Sequence, residues 1–220
     1  MSELTLVIGN KNYSSWSLRP WLAMKQGGLQ FKEIRIPLDT PDTHQQIRRY
    51  SPSGRVPVLL DGDLVIWESL AICEYIAENF APQLWPSDPS ARAVARSVSH
   101  EMHAGFMNLR MQMPMDCRGR YPGEGMKPEV QADIDRIMTL WRNCRQHYGA
   151  AGQMLFGKFS IADAMFAPVI SRFITYDVKL GSLAEEYAEA IWKLPAMQEW
   201  IEDADQESEE LDRFHSHIYQ

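Results

Sequence analysis

Ser14 and Ser15, in the stretch NYSSWSLRPW that runs from Asn12 to Trp21, stand at the mouth of a helix-like segment just after a short apolar run. An oxidoreductase built as strand, loop and helix carries a pair of cysteines at this place; here there are two hydroxyls. A serine donates a hydrogen bond without ionising, and the free N–H groups of a helix start favour a negative charge by about 0.3–2 kcal/mol. Such a pair suits an anion supplied by a ligand. Read locally, the plainer account is that both serines only cap the helix.

The elements around them follow from periodicity. Leu4–Ile8 is short, apolar and branched, which predicts a buried strand, and SLRPWLAMKQGG predicts a helix closed by Gly27-Gly28. Proline belongs in a first helical turn, so Pro20 predicts an N-cap near Ser17 or slightly earlier. Phe31–Leu38 alternates as a second strand, and Thr40-Pro41 predicts the start of a short helix stopped by Ser51-Pro52. VPVLLDGDLVIWES reads as two strands turning at Asp61-Gly62, and Ile66, Leu70, Cys73, Ala77 and Phe80 recur at helical spacing. The order is βαβαββα.

Beyond FAPQLWPSDPS the texture becomes purely helical. The expected division is a first domain over 1–80, a Pro-containing linker over 81–89 and an all-α domain over 90–220. Ala95, Val98, Met102, Phe106, Leu109 and Met113 form one helical stripe; Val130, Ile134, Ile137, Trp141, Cys144 and Tyr148 form another. Ser160 and Asp163 have capping-box spacing, Pro168 predicts a bend in the same helix, and Pro195 suits the start of a later one.

Composition narrows the class. With 220 residues, 45% hydrophobic and 23% charged, the chain can bury a sizeable core. A net charge of −7 argues against nucleic acid or an anionic membrane as a general partner, though a site can be locally basic. Cys73, Cys117 and Cys144 make no C-x-x-C pair and are odd in number, so reduced thiols and a cytoplasmic location are expected. MSELTLVIGNK has no leader-like apolar stretch, and no run approaches the roughly 20 apolar residues of a membrane span. The six histidines show no metal-ligand spacing, so no metal is expected.

Four stretches together, YSSWSLRPWLAMK, GRVPVLLDGDLVIWESLAICEYI, LWPSDPSARA and FSIADAMFAP, resemble the cytosolic glutathione transferase family over essentially the whole chain. The second is the most specific: Val56-Pro57 before a strand, then Glu68-Ser69 opening the next helix. The first is similar to the zeta class and related serine-type bacterial members, whose motif reads Ser-Ser-Cys-Ser; here Trp16 takes the place of Cys. The resemblance implies a thioredoxin-like α/β domain followed by an all-α domain. It also implies glutathione as co-substrate, and a homodimer that sets the N-terminal half of one subunit against the helical half of the other.

By resemblance, Ser14 donates to the glutathione thiolate, with Ser15 in support. A free thiol has a pKa of about 8.5. A hydrogen bond to its charged form adds roughly 1.5–3 kcal/mol to the helix-end effect, and about 1.4 kcal/mol is one pKa unit, so the thiolate fraction rises severalfold. A hydroxyl also avoids the mixed disulfide that a cysteine risks with a substrate thiol. Val56-Pro57 resembles the family's cis-proline turn, with the Val56 main chain pairing strand-like with the cysteinyl residue. Glu68 suits the ligand's α-amino group, Ser69 and its helix start the α-carboxylate, and Arg55 the glycyl carboxylate. Read locally, the plainer account is a trans proline at an edge strand, an ordinary N-cap and a solvated Glu, while Arg55 reads nearly as well as an exposed, unoccupied Arg. Ser160 and Asp163 are assigned to folding.

The electrophile pocket of this fold lies between the domains. Trp16 is placed there, with His103, Met107 and Arg110, which share a helix face at i, i+4, i+7. Met102 and Met113 are read as core or subunit interface, and His215 and His217 as a tail that closes over the pocket or frays. The expected function is conjugation of glutathione to an electrophilic small molecule. The alternatives are a glutathione-dependent isomerase or dehalogenase, or a non-catalytic member that binds glutathione or apolar ligands.

Overall fold

The computed structural model describes residues 3–212; His215 and His217 lie outside the described residues. Strand β1 (Thr5–Ile8) leads into helix α1 (Ser15–Gln26), followed by β2 (Lys32–Arg35), α2 (Thr43–Arg48), β3 (Val58–Asp61), β4 (Leu64–Trp67) and α3 (Ser69–Asn79). This is the expected thioredoxin-like order. The remaining elements are helical: α4 (Pro89–Ala104), α5 (Met107–Gln112), α6 (Pro128–Tyr148), α7 (Ile161–Thr175), α8 (Ser182–Trp192) and α9 (Pro195–Asp205), with short 3-10 turns at Pro82–Leu84 and Gly149–Ala151.

The sheet order is β2-β1-β3-β4, with β1 and β2 parallel and the other pairs antiparallel. Alternation along β1 divides its side chains between two interiors. Leu6 and Ile8 enter the large core under α1 and α3, while Val7 joins Val58, Ile36, Leu38 and Ile47 beneath α2. In the second half α7 is the central post, buried along nearly its whole length. Helix α1 packs against both α3 and α7, so it belongs to the interior of both halves.

Several boundaries differ from the sequence expectation. The N-cap of α1 is Ser14, which puts Pro20 at the sixth helical position rather than in the first turn. Proline there deprives the Trp16 carbonyl of its usual donor, and burial of Leu18, Trp21, Leu22, Ala23 and Met24 outweighs that loss. Helix α2 begins at Thr43, not after Thr40. The Thr43 hydroxyl accepts from the Thr40 N–H at 2.9 Å and donates to the Pro37 carbonyl at 2.7 Å, holding the intervening residues in a turn. The hairpin turns on Gly62-Asp63, one residue later than expected, with Gly62 at φ 59°.

The stripe expected to run unbroken from Ala95 to Met113 is interrupted. Helix α4 ends at Ala104, and Phe106 adopts the left-handed region at φ 62° before α5 starts. His103, Met107 and Arg110 therefore do not share a helix face. Arg110 fastens the break, its Nε donating to the Gly105 carbonyl at 2.9 Å. The α6 stripe is continuous as expected, and Pro128 and Pro195 open their helices. Ser160 and Asp163 form a capping box on α7.

The chain's late residues return to the start of the site. The Glu207 carboxylate accepts from the N–H groups of Lys11 (2.7 Å) and Asn12 (3.2 Å), in the loop that feeds α1. Among the described residues no helix is long and apolar enough to cross a membrane.

Candidate active site

A cleft of about 290 Å³ opens where β3, α3, α1 and α4 converge, lined by Trp16, Ser53, Arg55, Val56, Pro57, Glu68, Ser69 and His103. One wall is the Val56-Pro57 turn, whose peptide bond is cis. Another is the junction between β4 and α3. Glu68 stands there at φ 72°, a left-handed residue, so the chain reverses and delivers Ser69 as the first residue of α3. The Ser69 hydroxyl is buried on this wall with no hydrogen-bond partner. Beside it the helix start presents unpaired N–H groups, a setting for a carboxylate. The Glu68 carboxylate, half exposed, lies 3.7 Å from His103 Nε2.

The N-terminus of α1 presents Trp16 to the cleft, not the serines. Ser14 and Ser15 are fully buried and absent from its lining. The Ser14 hydroxyl lies 2.7 Å from that of Ser17, which accepts the Gly9 N–H at 3.2 Å. The Ser15 hydroxyl accepts from Arg172 at 3.3 Å. Trp16 lines the cleft instead, with His103 against it in a T-shaped contact at 5.1 Å.

Two guanidinium groups lie over the same indole, Arg19 at 4.1 Å and Arg110 at 4.6 Å from the ring centroid. Arg19 is fully buried; its Nε donates to the Met165 carbonyl at 3.2 Å, and both Nη atoms lack hydrogen-bond partners. Arg172 is a third buried cation, donating to the carbonyls of Met113 (2.9 Å) and Pro168 (3.1 Å). Burial and mutual repulsion push these groups down: Arg19 well below its ordinary value, Arg172 to about 9. Burial takes Arg110 to about 10. His103 is held below the ordinary imidazole value, first by burial and then by Arg19, against an upward pull from Glu68.

The structure thus brings Arg55, Val56, Pro57, Glu68, Ser69, Trp16 and His103 to one cleft, and keeps Ser14, Ser15, Met107 and Arg110 off its lining. Met107 faces out, 56% exposed, and Arg110 lies buried beneath Trp16. Sequence reasoning missed Ser53, whose hydroxyl accepts the Arg55 N–H at 3.3 Å, and the buried Arg19 and Arg172. Arg19, one turn after Trp16 on α1, was the accessible clue. The protein's own thiols are no nucleophiles: Cys73, Cys117 and Cys144 are buried and free, each pushed up to about 12 by burial. Among the described residues no cluster of His, Cys, Asp or Glu could hold a metal.

A thioredoxin-like half carrying a cis-proline turn and a polar helix start, completed by a helical half, defines a class, and comparison with known proteins places the chain within it. Residues 13–79 match the family model described as glutathione S-transferase, N-terminal domain. The chain is 37% identical over 203 residues to glutathione S-transferase Z2 of Arabidopsis thaliana, covering 86% of this chain and 88% of the relative. It is 29% identical over 172 residues to maleylacetoacetate isomerase of Rattus norvegicus, covering 76% of each. A glutathione transferase homolog from Burkholderia, solved with bound glutathione, superposes with a TM-score of 0.71 at 22% identity, over 94% of this chain and 100% of that one. The chain belongs to the glutathione S-transferase family.

Proposed function

We propose that the protein binds glutathione in this cleft and conjugates its sulfur to an electrophilic small molecule. The observation that carries the reading is the buried Ser69 hydroxyl, without a partner, at the start of α3 and beside Glu68. A γ-glutamyl end carries one carboxylate and one ammonium, and these two side chains match them in charge and hydrogen bonding. The Val56 main chain, next to the cis turn, is suited to pair with the cysteinyl residue, and Arg55 to receive the glycyl carboxylate. In this pose the thiol points towards the N-terminus of α1.

We retain Ser14 as the thiol's hydrogen-bond donor and Ser15 as its support. Because neither has surface in the cleft, this assignment requires the start of α1 to open when the ligand enters. Ultraviolet titration of the bound thiol tests both levels. Wild type should ionise glutathione below its free pKa of about 8.5, and Ser14→Ala should raise that value while leaving affinity intact. An unchanged titration in Ser14→Ala removes the serine from the role.

The relative named maleylacetoacetate isomerase favours a second reading, in which the sulfur adds, the adduct rearranges and the thiol leaves again. Product analysis separates the two, since conjugation consumes glutathione stoichiometrically and isomerisation returns it. Retention on immobilised glutathione with no turnover of any electrophile would instead mark a non-catalytic binder. The three free cysteines support a reducing, cytoplasmic location. Assembly as a homodimer is supported by exposed apolar side chains on β4 and α5.

A further inference from the structure

The proposed conjugation needs a place for the thiol's proton, and the cleft offers few. Arg55 has no lone pair to give, and the hydroxyls of Ser53 and Ser69 are poor acceptors of a full proton. Glu68 is claimed by the ligand's ammonium group. Ser14 and Ser15 are fully buried off the lining and can only donate to a sulfur already ionised. The remaining side chain with a basic nitrogen on the wall is His103, near the C-terminus of α4.

We propose that His103 is the proton acceptor for the glutathione thiol, and so a catalytic residue of this cleft; the proposal rests on the glutathione reading above. The geometry supports it from three sides. The imidazole packs edge-on against Trp16 at 5.1 Å, which brings it to the α1 end of the cleft, where the sulfur is expected. Its Nδ1 is buried without a hydrogen-bond partner, and its Nε2 lies 3.7 Å from the Glu68 carboxylate. When the ligand's ammonium pairs with Glu68, that carboxylate is drawn from Nε2, and the nitrogen is released as binding is completed.

The charges facing the ring prepare it for this task. Burial above all disfavours an imidazolium, and Arg19 from α1, Arg110 from α5 and His100 on its own helix add to it; Glu68 alone among the named groups favours one. The free imidazole is therefore neutral at pH 7, with its lone pair available. Both guanidinium groups stand against the Trp16 ring, so the α1 end of the cleft is a cationic setting in which a thiolate is favoured over an imidazolium. In the step itself the S–H bond breaks with its electron pair left on sulfur, and His103 takes the proton. The sulfur pair forms the bond to carbon, the leaving group departs with its own pair, and the proton passes from His103 to solvent.

Alkylation of bound glutathione by iodoacetamide tests this without knowledge of the natural electrophile, because that reagent needs no pocket of its own. With protein in excess, all thiol is bound and iodide is the leaving group. His103→Gln should leave glutathione affinity by calorimetry unchanged, slow alkylation at pH 7 at least about tenfold, and move the acid limb of the rate profile to higher pH. In His103→Ala, added imidazole should restore the rate in proportion to its neutral fraction. A His103→Gln rate and pH profile equal to wild type would overturn the proposal. So would a folded His103→Ala, by circular dichroism, that ignores imidazole. A wild-type protein that binds no glutathione would instead bring down the glutathione reading and this proposal together.

Discussion

At the scale of single residues, the cleft combines an unmet hydrogen-bond donor with a suppressed base. The Ser69 hydroxyl is buried and unpartnered, which is unfavourable until a ligand carboxylate arrives. Ser69→Ala should therefore weaken glutathione binding about 10- to 100-fold, as expected for losing a hydrogen bond of roughly 1.5–3 kcal/mol to a charged group, without loss of thermal stability. Calorimetry and a melting curve measure the two effects. His103 makes a separate prediction about stability. Its folded pKa lies below the ordinary value, so the unfolded chain binds its proton more readily. Stability from this group is present above about pH 6.5 and is lost as pH falls through the lower, folded value. Wild type should thus lose stability relative to His103→Gln on acidification, read from denaturation midpoints across that range. The residues that meet in the cleft were largely legible in sequence because they belong to short motifs: Arg55 to Pro57 and Glu68-Ser69 each span a single turn. The burial of Ser14 and Ser15 was not, because Ser17 and Arg172 hold their hydroxyls, and Arg172 comes from a helix far along the chain.

At the scale of elements, α7 depends on how it begins. The Asp163 carboxylate, fully buried, accepts from the backbone N–H groups of Leu155 (3.0 Å) and Ser160 (2.8 Å) and from the Ser160 hydroxyl (2.9 Å). Asp163→Ala strands two buried N–H groups at about 1–3 kcal/mol each, so a loss of roughly 2–6 kcal/mol is expected, with Asp163→Asn milder because one acceptor survives. Chemical denaturation reads this as a lowered midpoint with unchanged slope. This box was visible in sequence because its partners are three residues apart. The interruption between α4 and α5 was not, because the apolar period runs straight through Gly105 and Phe106 while the backbone turns left-handed. Hydrophobic spacing records which side chains are buried, and it is silent on whether one helix or two delivers them. The early start of α1 has a similar origin: packing on both sides of the helix outweighs the local preference of Pro20 for a first turn.

At the scale of the whole molecule, apolar side chains remain on the outside of both halves. Leu64 and Trp67 on β4 are 48% and 44% exposed, and Met107 and Met111 on α5 are 56% and 47% exposed. In the proposed homodimer the β4 surface of one subunit meets the α5 surface of the other. Trp67→Lys combined with Met111→Lys should convert the dimer to monomers in sedimentation velocity. A wild type that sediments as a monomer, or a double variant that stays dimeric, argues against this interface. Within one chain, α1 imposes a further condition. It lies between α3 and α7, and its first turn supports the floor of the cleft. A hybrid made by joining the front of this chain to the back of a relative at the Pro-rich connection would therefore set α1 against a foreign α7. New substrate preferences cannot be transplanted by cutting there alone; the residues of α7 that press on α1 have to travel with the graft.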